Sequence, residues 1–263
     1  MNQDKQLAKA NLYRNNGKTK KAISLYQKLF KIYDAEKKFK EASHALQQVG
    51  VSYKIDNDEE NAIKALEKAY LYSQKHQEYL MAGATLRDIG ITYAYKKKFK
   101  LALKYLQKSQ TQLEKLGENE NLAITIAKIG GVYTEMKRFK AAKKEIQKAL
   151  IMFQKYPHWF FEATTLMHLA NLQIETKKHK DALKTLKKVE TIFDKHKKEE
   201  PQLRRFAQIY GLEAYVLATL GEKQSAKKLF QKSQKLIKEN LSSDAAKVVN
   251  EDIRATETKK LLF

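Results

Sequence analysis

Residues 86–106 read LRDIGITYAYKKKFKLALKYL. Leu86, Ile89, Gly90 and Tyr93 recur three and four residues apart, which puts them on one face of a helix. Lys96, Lys97 and Lys98 interrupt the pattern. Ala102, Leu106 and Leu113 resume it on a second helix, with Gly117 placed to stop it. So short a connection forces the two helices antiparallel, and the small residues let their backbones approach while Tyr93 and Leu106 fill the flanks. The unit is a helical hairpin of a helix A and a helix B.

Working outward, a shift of 40 residues lays the sequence over itself. Ala22, Ala62, Ala102, Ala142, Ala182 and Ala226 form one column. Ala10, Gly50, Gly90, Gly130, Ala170 and Ala214 stand twelve residues before them, and Tyr13, Tyr53, Tyr93, Tyr133, Gln173 and Leu217 three residues after those. Tyr26, Leu66, Leu106, Ile146, Leu186 and Phe230 lie four after each alanine. Ile126, Ile129, Gly130 and Tyr133 repeat the spacing of residues 86–93. A two-helix unit cannot cover its own apolar surface, so neighbouring units must stack into a solenoid. Burial of one leucine contributes roughly 1.5–3 kcal/mol, which gives these columns, the tyrosines included, a packing role.

A small residue, an aromatic three later, an alanine twelve after the small residue and a bulky residue four beyond it resemble the tetratricopeptide repeat (TPR) family, over residues 3 to about 240. The usual unit is about 34 residues, so the 40-residue period here means longer helices. Such a variant resembles the repeats of kinesin light chains, Leu-Gly-Asn-repeat adaptors and bacterial peptide receptors. The family tryptophan is absent from helix A, where Gln6, Leu46, Leu86, Ile126, Leu166 and Tyr210 stand. The resemblance implies an all-α, right-handed α-solenoid of about six TPR helical hairpins plus a C-terminal capping helix. The expected repeats are about 3–42, 43–82, 83–122, 123–162, 163–206 and 207–241, within a solenoid over residues 1–241 and a cap over 242–263. Lys9, in a column that holds Val49, Ile89, Ile129 and Leu169, gives the first helix A a polar edge. Ser242-Ser243-Asp244 opens the cap, with Ala246, Val249, Ile253 and Leu261 on its apolar face. Lys197-Lys198-Glu199-Glu200-Pro201 holds the four extra residues between repeats five and six, and is expected to be a longer loop.

Composition agrees with this reading. Nine Gly, two Pro and no Cys leave little material for turn-rich sandwiches, disulfide scaffolds or thiolate metal sites. With a mean hydropathy of −0.64, no apolar run long enough to span a membrane and no secretory signal at Met1-Asn2-Gln3-Asp4, the chain is expected to be soluble and cytoplasmic. The net charge of +22 is spread over every repeat except 43–82, which is slightly acidic.

Catalytic and metal sites find little support. Gly17-Lys18-Thr19 lacks the earlier glycine of a phosphate loop, since Leu12 stands there. Asp56, Asp58, Glu60 and Glu67 partly fit a calcium loop, but Asn61 replaces its glycine, and acids also suit the start of helix B. His44, His76, His158, His168, His179 and His196 form no His-Glu-x-x-His pair. Asn240-Leu241-Ser242 matters as a glycosylation acceptor only in a secreted protein. The chain is therefore expected not to be an enzyme, with no cofactor, metal or catalytic residue assigned.

A stacked solenoid offers a concave surface lined by its A helices. One column on it reads Asn11, Val51, Ile91, Gly131, Asn171, Tyr215. A second reads Leu7, Gln47, Arg87, Ala127, Met167, Gly211, and a third Arg14, Lys54, Ala94, Thr134, Ile174, Ala218. Gln48, Lys128 and His168 stand beside the second column. Val51, Ile91, Ala94, Ile124, Ala127 and Gly131 make the middle of this groove small and apolar. Asn11, Arg14, Gln47, Gln48, Lys54, Arg87 and Lys128 are able to bind a peptide backbone or carboxylate. The other reading of Val51 and Ile91 is that longer helices turn them inward. The resemblance also brings to mind the carboxylate clamp of some TPR proteins. Asn11 matches one member, but Gln48, Ala84 and Asp88 stand where asparagine, lysine and arginine belong, which disfavours a chaperone-tail adaptor.

Basic residues gather at the A-to-B turns: Lys18, Lys20 and Lys21; Lys96, Lys97, Lys98 and Lys100; Lys137, Arg138 and Lys140; Lys177, Lys178 and Lys180. Stacking is expected to merge them into a ridge that attracts acidic proteins, nucleic acid or anionic membrane, unless it only solubilises. Phe153, Tyr156, Trp159, Phe160 and Phe161 around Pro157 read as inter-repeat packing, with an exposed partner patch as the alternative. The expected function is a non-enzymatic interaction scaffold or adaptor that holds a peptide or helix of another protein in the groove. The alternatives are a nucleic-acid- or ribosome-associated binder and a signalling-peptide receptor module.

Overall fold

The computed structural model describes residues 3–15, 17–196, 203–241 and 243–262, and every regular element among them is an α-helix. Twelve helices follow one another: α1 (Gln3–Asn15), α2 (Thr19–Ala35), α3 (Phe39–Ile55), α4 (Glu59–Lys75), α5 (Tyr79–Tyr95), α6 (Phe99–Glu114), α7 (Glu120–Glu135), α8 (Phe139–Lys155), α9 (Trp159–Glu175), α10 (His179–His196), α11 (Leu203–Thr219) and α12 (Lys223–Asn240), of which α1–α2, α3–α4, α5–α6, α9–α10 and α11–α12 pack as hairpins. Two short helices, α13 (Ser243–Asp252) and α14 (Ala255–Leu262), end the chain. The expected loop at Lys197–Pro201 and the helix-opening Ser242 lie outside the described residues.

The 40-residue period is twice a half-repeat of one 17-residue helix and a three-residue turn. The left-handed residues of these turns are Gly17, Lys37, Asn57, Gln77, Lys97, Lys137, Lys177 and Gly221, with Gly117 in the longer turn before α7, and they fall twenty apart from Gly17 to Lys137. The next amide then reaches back to a carbonyl five residues earlier, as Lys98 N–H does to Tyr93 O at 2.9 Å and Lys38 N–H to Tyr33 O at 2.8 Å. The same lysine closes the first turn of the following helix, its carbonyl accepting from Ala102 N–H at 3.0 Å. At the position where the series calls for residue 157, a proline excludes positive φ. There the chain instead enters α9 through an extended His158, at φ −148°.

The two halves of a hairpin meet at the small-residue column. A Cβ at Gly90 would come within 2.7 Å of Leu106 Cγ and 3.0 Å of the Ala102 carbonyl oxygen, and one at Gly50 within 2.5 Å of Leu66 Cγ. The alanine column is wholly buried from Ala22 to Ala226, as are Tyr26, Leu66, Leu106, Ile146 and Leu186 four residues on. Lys9 is exposed, the polar edge expected of the first helix A.

The chain divides into two compact units, Met1–Val132 and Tyr133–Phe263, with the boundary inside α7. In the second, Trp159 and Phe160 meet Phe193 edge-on, Phe193 meets Phe206, and Phe206 stacks on Tyr210. These rings join α9, α10 and α11, which is the packing role read for the aromatic cluster. The C-terminal segment is two helices and not one, broken at Arg254, whose φ is +54°. The break lets Ile253 press on α11, where a Cβ at Gly211 would lie 2.5 Å from Ile253 Cδ1. Arg254 continues past α11 to Glu175 on α9 and lies over the Tyr215 ring.

Glu213 occupies the column of Val49, Ile89, Ile129 and Leu169, is 2% exposed, and among the described residues its Oε1 has no hydrogen-bond partner. Burial, with Glu190 adding to it, pushes its carboxyl up to about 7. Both folded and unfolded chains hold this proton below the usual carboxylate range. As pH rises towards 7 the unfolded chain releases it first, so stability falls across that window and stays lower above it.

Two expectations follow. Gly90→Ala and Ala102→Leu each cost roughly 1–3 kcal/mol by denaturant titration through overpacking at the A–B contact; two neutral results would contradict that contact. Glu213→Gln raises stability at pH 8 by up to about 3 kcal/mol and leaves it nearly unchanged at pH 4, measured as unfolding free energy against pH.

Candidate functional site

In the first unit the A helices α1, α3, α5 and the first turns of α7 present a common face, on which polar side chains are tied across successive repeats. Arg14 donates to Gln48 Oε1, and Gln48 Nε2 lies 3.1 Å from His44 Nε2. Gln47 Nε2 donates to Asp88 Oδ2 at 2.8 Å, and Lys54 Nζ pairs with Asp88 Oδ1 at 3.5 Å. Arg87 Nη1 donates to Asn121 Oδ1 at 2.8 Å, while Asn11 Oδ1 accepts from Tyr26 O–H at 2.7 Å within the first hairpin.

Three of these links, Arg14 to Gln48, Lys54 to Asp88 and Arg87 to Asn121, span 34 residues each. Equivalent positions recur every 40 residues, so Arg14 and Lys54 in the last turns of α1 and α3, and Arg87 in the middle of α5, each reach about six residues back towards the start of the next A helix. The result is a ladder in which one A helix orients the side chains of its neighbour.

Burial differs from the sequence reading at several positions. Gln47 and Gln48 are buried, as are Ile124 and Ala127, so this part of the A helices faces its neighbours more than open solvent. Asn11, Arg14, Val51, Lys54, Arg87, Ile91 and Lys128 are half-buried and border the face. In the second unit His168 and Asn171 are half-buried, whereas Met167, Ile174, Gly211 and Ala218 are buried. There the chain's own Ile253 and Arg254 cover the groove-side positions of α11.

The electrostatics of the first face are uneven. Arg14, Lys54, Arg87 and Lys128 bring four cations, against the carboxylates of Asp88 and, in the first turn of α7, Glu120. Burial lowers the Arg87 guanidinium from its ordinary value, with Asp88 and Glu120 acting in the opposite sense. Its hydrogen-bond partner is a neutral carboxamide. Burial, then the charge of Arg14, lowers the His44 imidazole, which favours its neutral form. Next to Val51 and Ile91, such groups are chemically able to take an amide or a carboxylate by hydrogen bond and charge. Sequence reasoning missed His44 and Asn121 and saw Asp88 only as a mismatch. The available signal was Asp88, an acid in the middle of an A helix among amides and cations.

The basic turns are divided between the units. In the first, Lys98 Nζ pairs with Glu59 at 2.7 Å and Lys96 Nζ donates to the Asn57 carbonyl at 3.1 Å, so these lysines tie α5–α6 to the acidic α3–α4 turn. That turn, Asp56 to Glu60, separates Lys18, Lys20 and Lys21 from Lys96, Lys97, Lys98 and Lys100. A continuous ridge is thereby interrupted. In the second unit Lys137, Arg138, Lys140, Lys177, Lys178 and Lys180 are exposed. Among the described residues no group of His, Asp and Glu is placed to hold a metal, and no helix is long and apolar enough to cross a membrane.

Models of the tetratricopeptide repeat match residues 121–195 and, separately, 6–36, 43–76 and 207–240. The chain belongs to the tetratricopeptide repeat family. Its third TPR hairpin, α5–α6, falls between the matched stretches and has the same geometry. Among solved structures, the apo form of RapI is similar at 19% identity and a TM-score of 0.68, covering 100% of this chain and 95% of that one. A plasmid's Rap conjugation gene regulator in complex with a Phr peptide is similar at 16% identity and 0.64, covering 97% and 64%. BtubC from P. vanneervenii is similar at 12% identity and 0.64, covering 90% and 91%. At such identities the likeness is one of fold. No curated protein sequence matches the chain.

The ladder makes a stability prediction. Asp88→Ala leaves the buried Gln47 amide without its acceptor and Lys54 without its counter-charge. It is expected to cost about 1–3 kcal/mol, read as a lowered midpoint of thermal unfolding; an unchanged midpoint would mean the ladder is not formed in solution.

Proposed function

We propose that this TPR protein is a non-enzymatic interaction scaffold whose first-unit A-helix face holds a peptide or helical segment of another protein. The observation that carries the reading is Arg87. A half-buried guanidinium, desolvated enough to lower its pKa and hydrogen-bonded to a neutral amide, keeps most of its donors for an incoming carbonyl or carboxylate. Ile91 stands one helical turn further on and supplies an apolar contact beside it. The excess of cations over the carboxylates of Asp88 and Glu120 favours an acidic segment or a chain-terminal carboxylate. The similar fold of a Rap regulator in complex with a peptide supports this class of partner. In the second unit, the C-terminal segment over α11 makes the first unit the more open of the two faces.

Panning a displayed peptide library on the purified protein, followed by calorimetry on the enriched sequences, tests the reading. Arg87→Gln and Ile91→Asp are each expected to weaken capture about tenfold or more while the unfolding midpoint holds. Full binding by both folded variants would refute the assignment. Binding to single-stranded RNA that falls steeply with salt, in place of peptide enrichment, would shift the function to the basic turns.

A further inference from the structure

A second surface lies on the B-helix side of the first unit, away from the A-helix face. Helices α4 and α6 both pack on α5, and between them runs an open cleft of about 850 Å³. Its floor is Leu86 of α5 and Leu103 of α6, both buried, with Tyr70 of α4 on one wall. Tyr79 and Leu116 stay exposed at one end, at 44% and 45%. The opposite wall is basic: Lys100, Lys104, Lys108 and Lys115 line it, and none of the lining residues is acidic. Lys108 Nζ lies over the Tyr105 ring at 5.6 Å; among the described residues no carboxylate pairs with Lys100, Lys104 or Lys115.

Lysines at intervals of four recur about every 6 Å along a helix, and the 16 residues of α6 span about 24 Å. A helix laid along the cleft with carboxylates at the same interval meets Lys100, Lys104 and Lys108 in turn. An apolar stripe three to four residues from those carboxylates faces Leu86 and Leu103. The charged wall and the leucine floor are both needed to explain the site. A nucleic acid would use the lysines and leave the leucines uncovered, and the cleft contains no arginine. We infer that the cleft between α4 and α6 is a docking site for an acidic amphipathic helix of another protein, separate from the A-helix face.

Fluorescence anisotropy on the full chain tests this. The probes are a labelled 16-residue peptide with glutamate at every fourth position and leucines three and four residues on, a scrambled peptide of the same composition, and a 20-mer oligothymidine. The patterned peptide is expected to bind at least about tenfold tighter than the scrambled one, and Lys104→Glu combined with Lys108→Glu to remove that advantage. Leu116→Asp, at an exposed site on α6's end of the cleft, gives the same reading should the double variant lose its helical circular dichroism. Arg87→Gln leaves this binding intact, which separates the site from the A-helix face. Equal binding of the two peptides, preference for the oligothymidine, wild-type binding by a folded cleft variant, or loss through Arg87→Gln would each overturn the inference.

Discussion

The contact on which the rest depends is the close approach of helix A to helix B in each hairpin. At position 90 there is room for a hydrogen atom and no more, because Leu106 and the Ala102 carbonyl occupy the space where a Cβ would sit. Alanine or glycine on one helix and a bulky residue on its partner therefore recur as a matched pair, and neither helix tolerates much change in size at that point. Once the pair is locked, both helices have defined outer faces. One set of A-helix residues meets the next A helix and another is left to border solvent.

The regular turns carry this arrangement along the chain. A helix of 17 residues and a three-residue turn add to a half-repeat of 20, so the helices keep a constant phase. Lysine, asparagine and glutamine accept the left-handed turn position at the modest conformational cost that glycine avoids. Constant phase allows side chains 34 residues apart to bond repeatedly on the A-helix face. Most of that ladder's polar groups orient one another. Arg87 differs, since among the described residues its hydrogen bond goes to a neutral amide and its charge is partly desolvated. In the proposed reading such a group suits an anion or a carbonyl, because the cost of drying it has been met by folding and not by binding.

The second unit puts the same columns to different use. Glu213 stands where the other repeats place an aliphatic residue, and its raised pKa shows that burial outweighs the pull of Lys187 and Lys232. Gly211 receives Ile253, so the chain's own C-terminal segment sits where a further A helix would stack, and Arg254 carries it on to Glu175. A solenoid must end on something that covers its last apolar face. Here the covering also takes groove-side positions of α11, including the surroundings of Tyr215.

Hairpin architecture, repeat length and the packing columns were legible in the sequence by itself, because each arises from local periodicity and from residue size at fixed spacing. Lys96 to Lys98 as a turn, Gly117 as a helix stop and the aromatic cluster as packing needed nothing more. The candidate face was legible only in outline. Which of Gln47, Arg87 and Ala127 would be buried depends on the rotation of one A helix against the next, and the intra-repeat pattern does not encode that angle. The pairing of Asp88 with Gln47 and Lys54, the break at Arg254 and the lysine-walled cleft over Leu86 and Leu103 were decided by tertiary structure. Each joins residues from different helices, and their meeting is set by packing geometry, which sequence spacing does not carry.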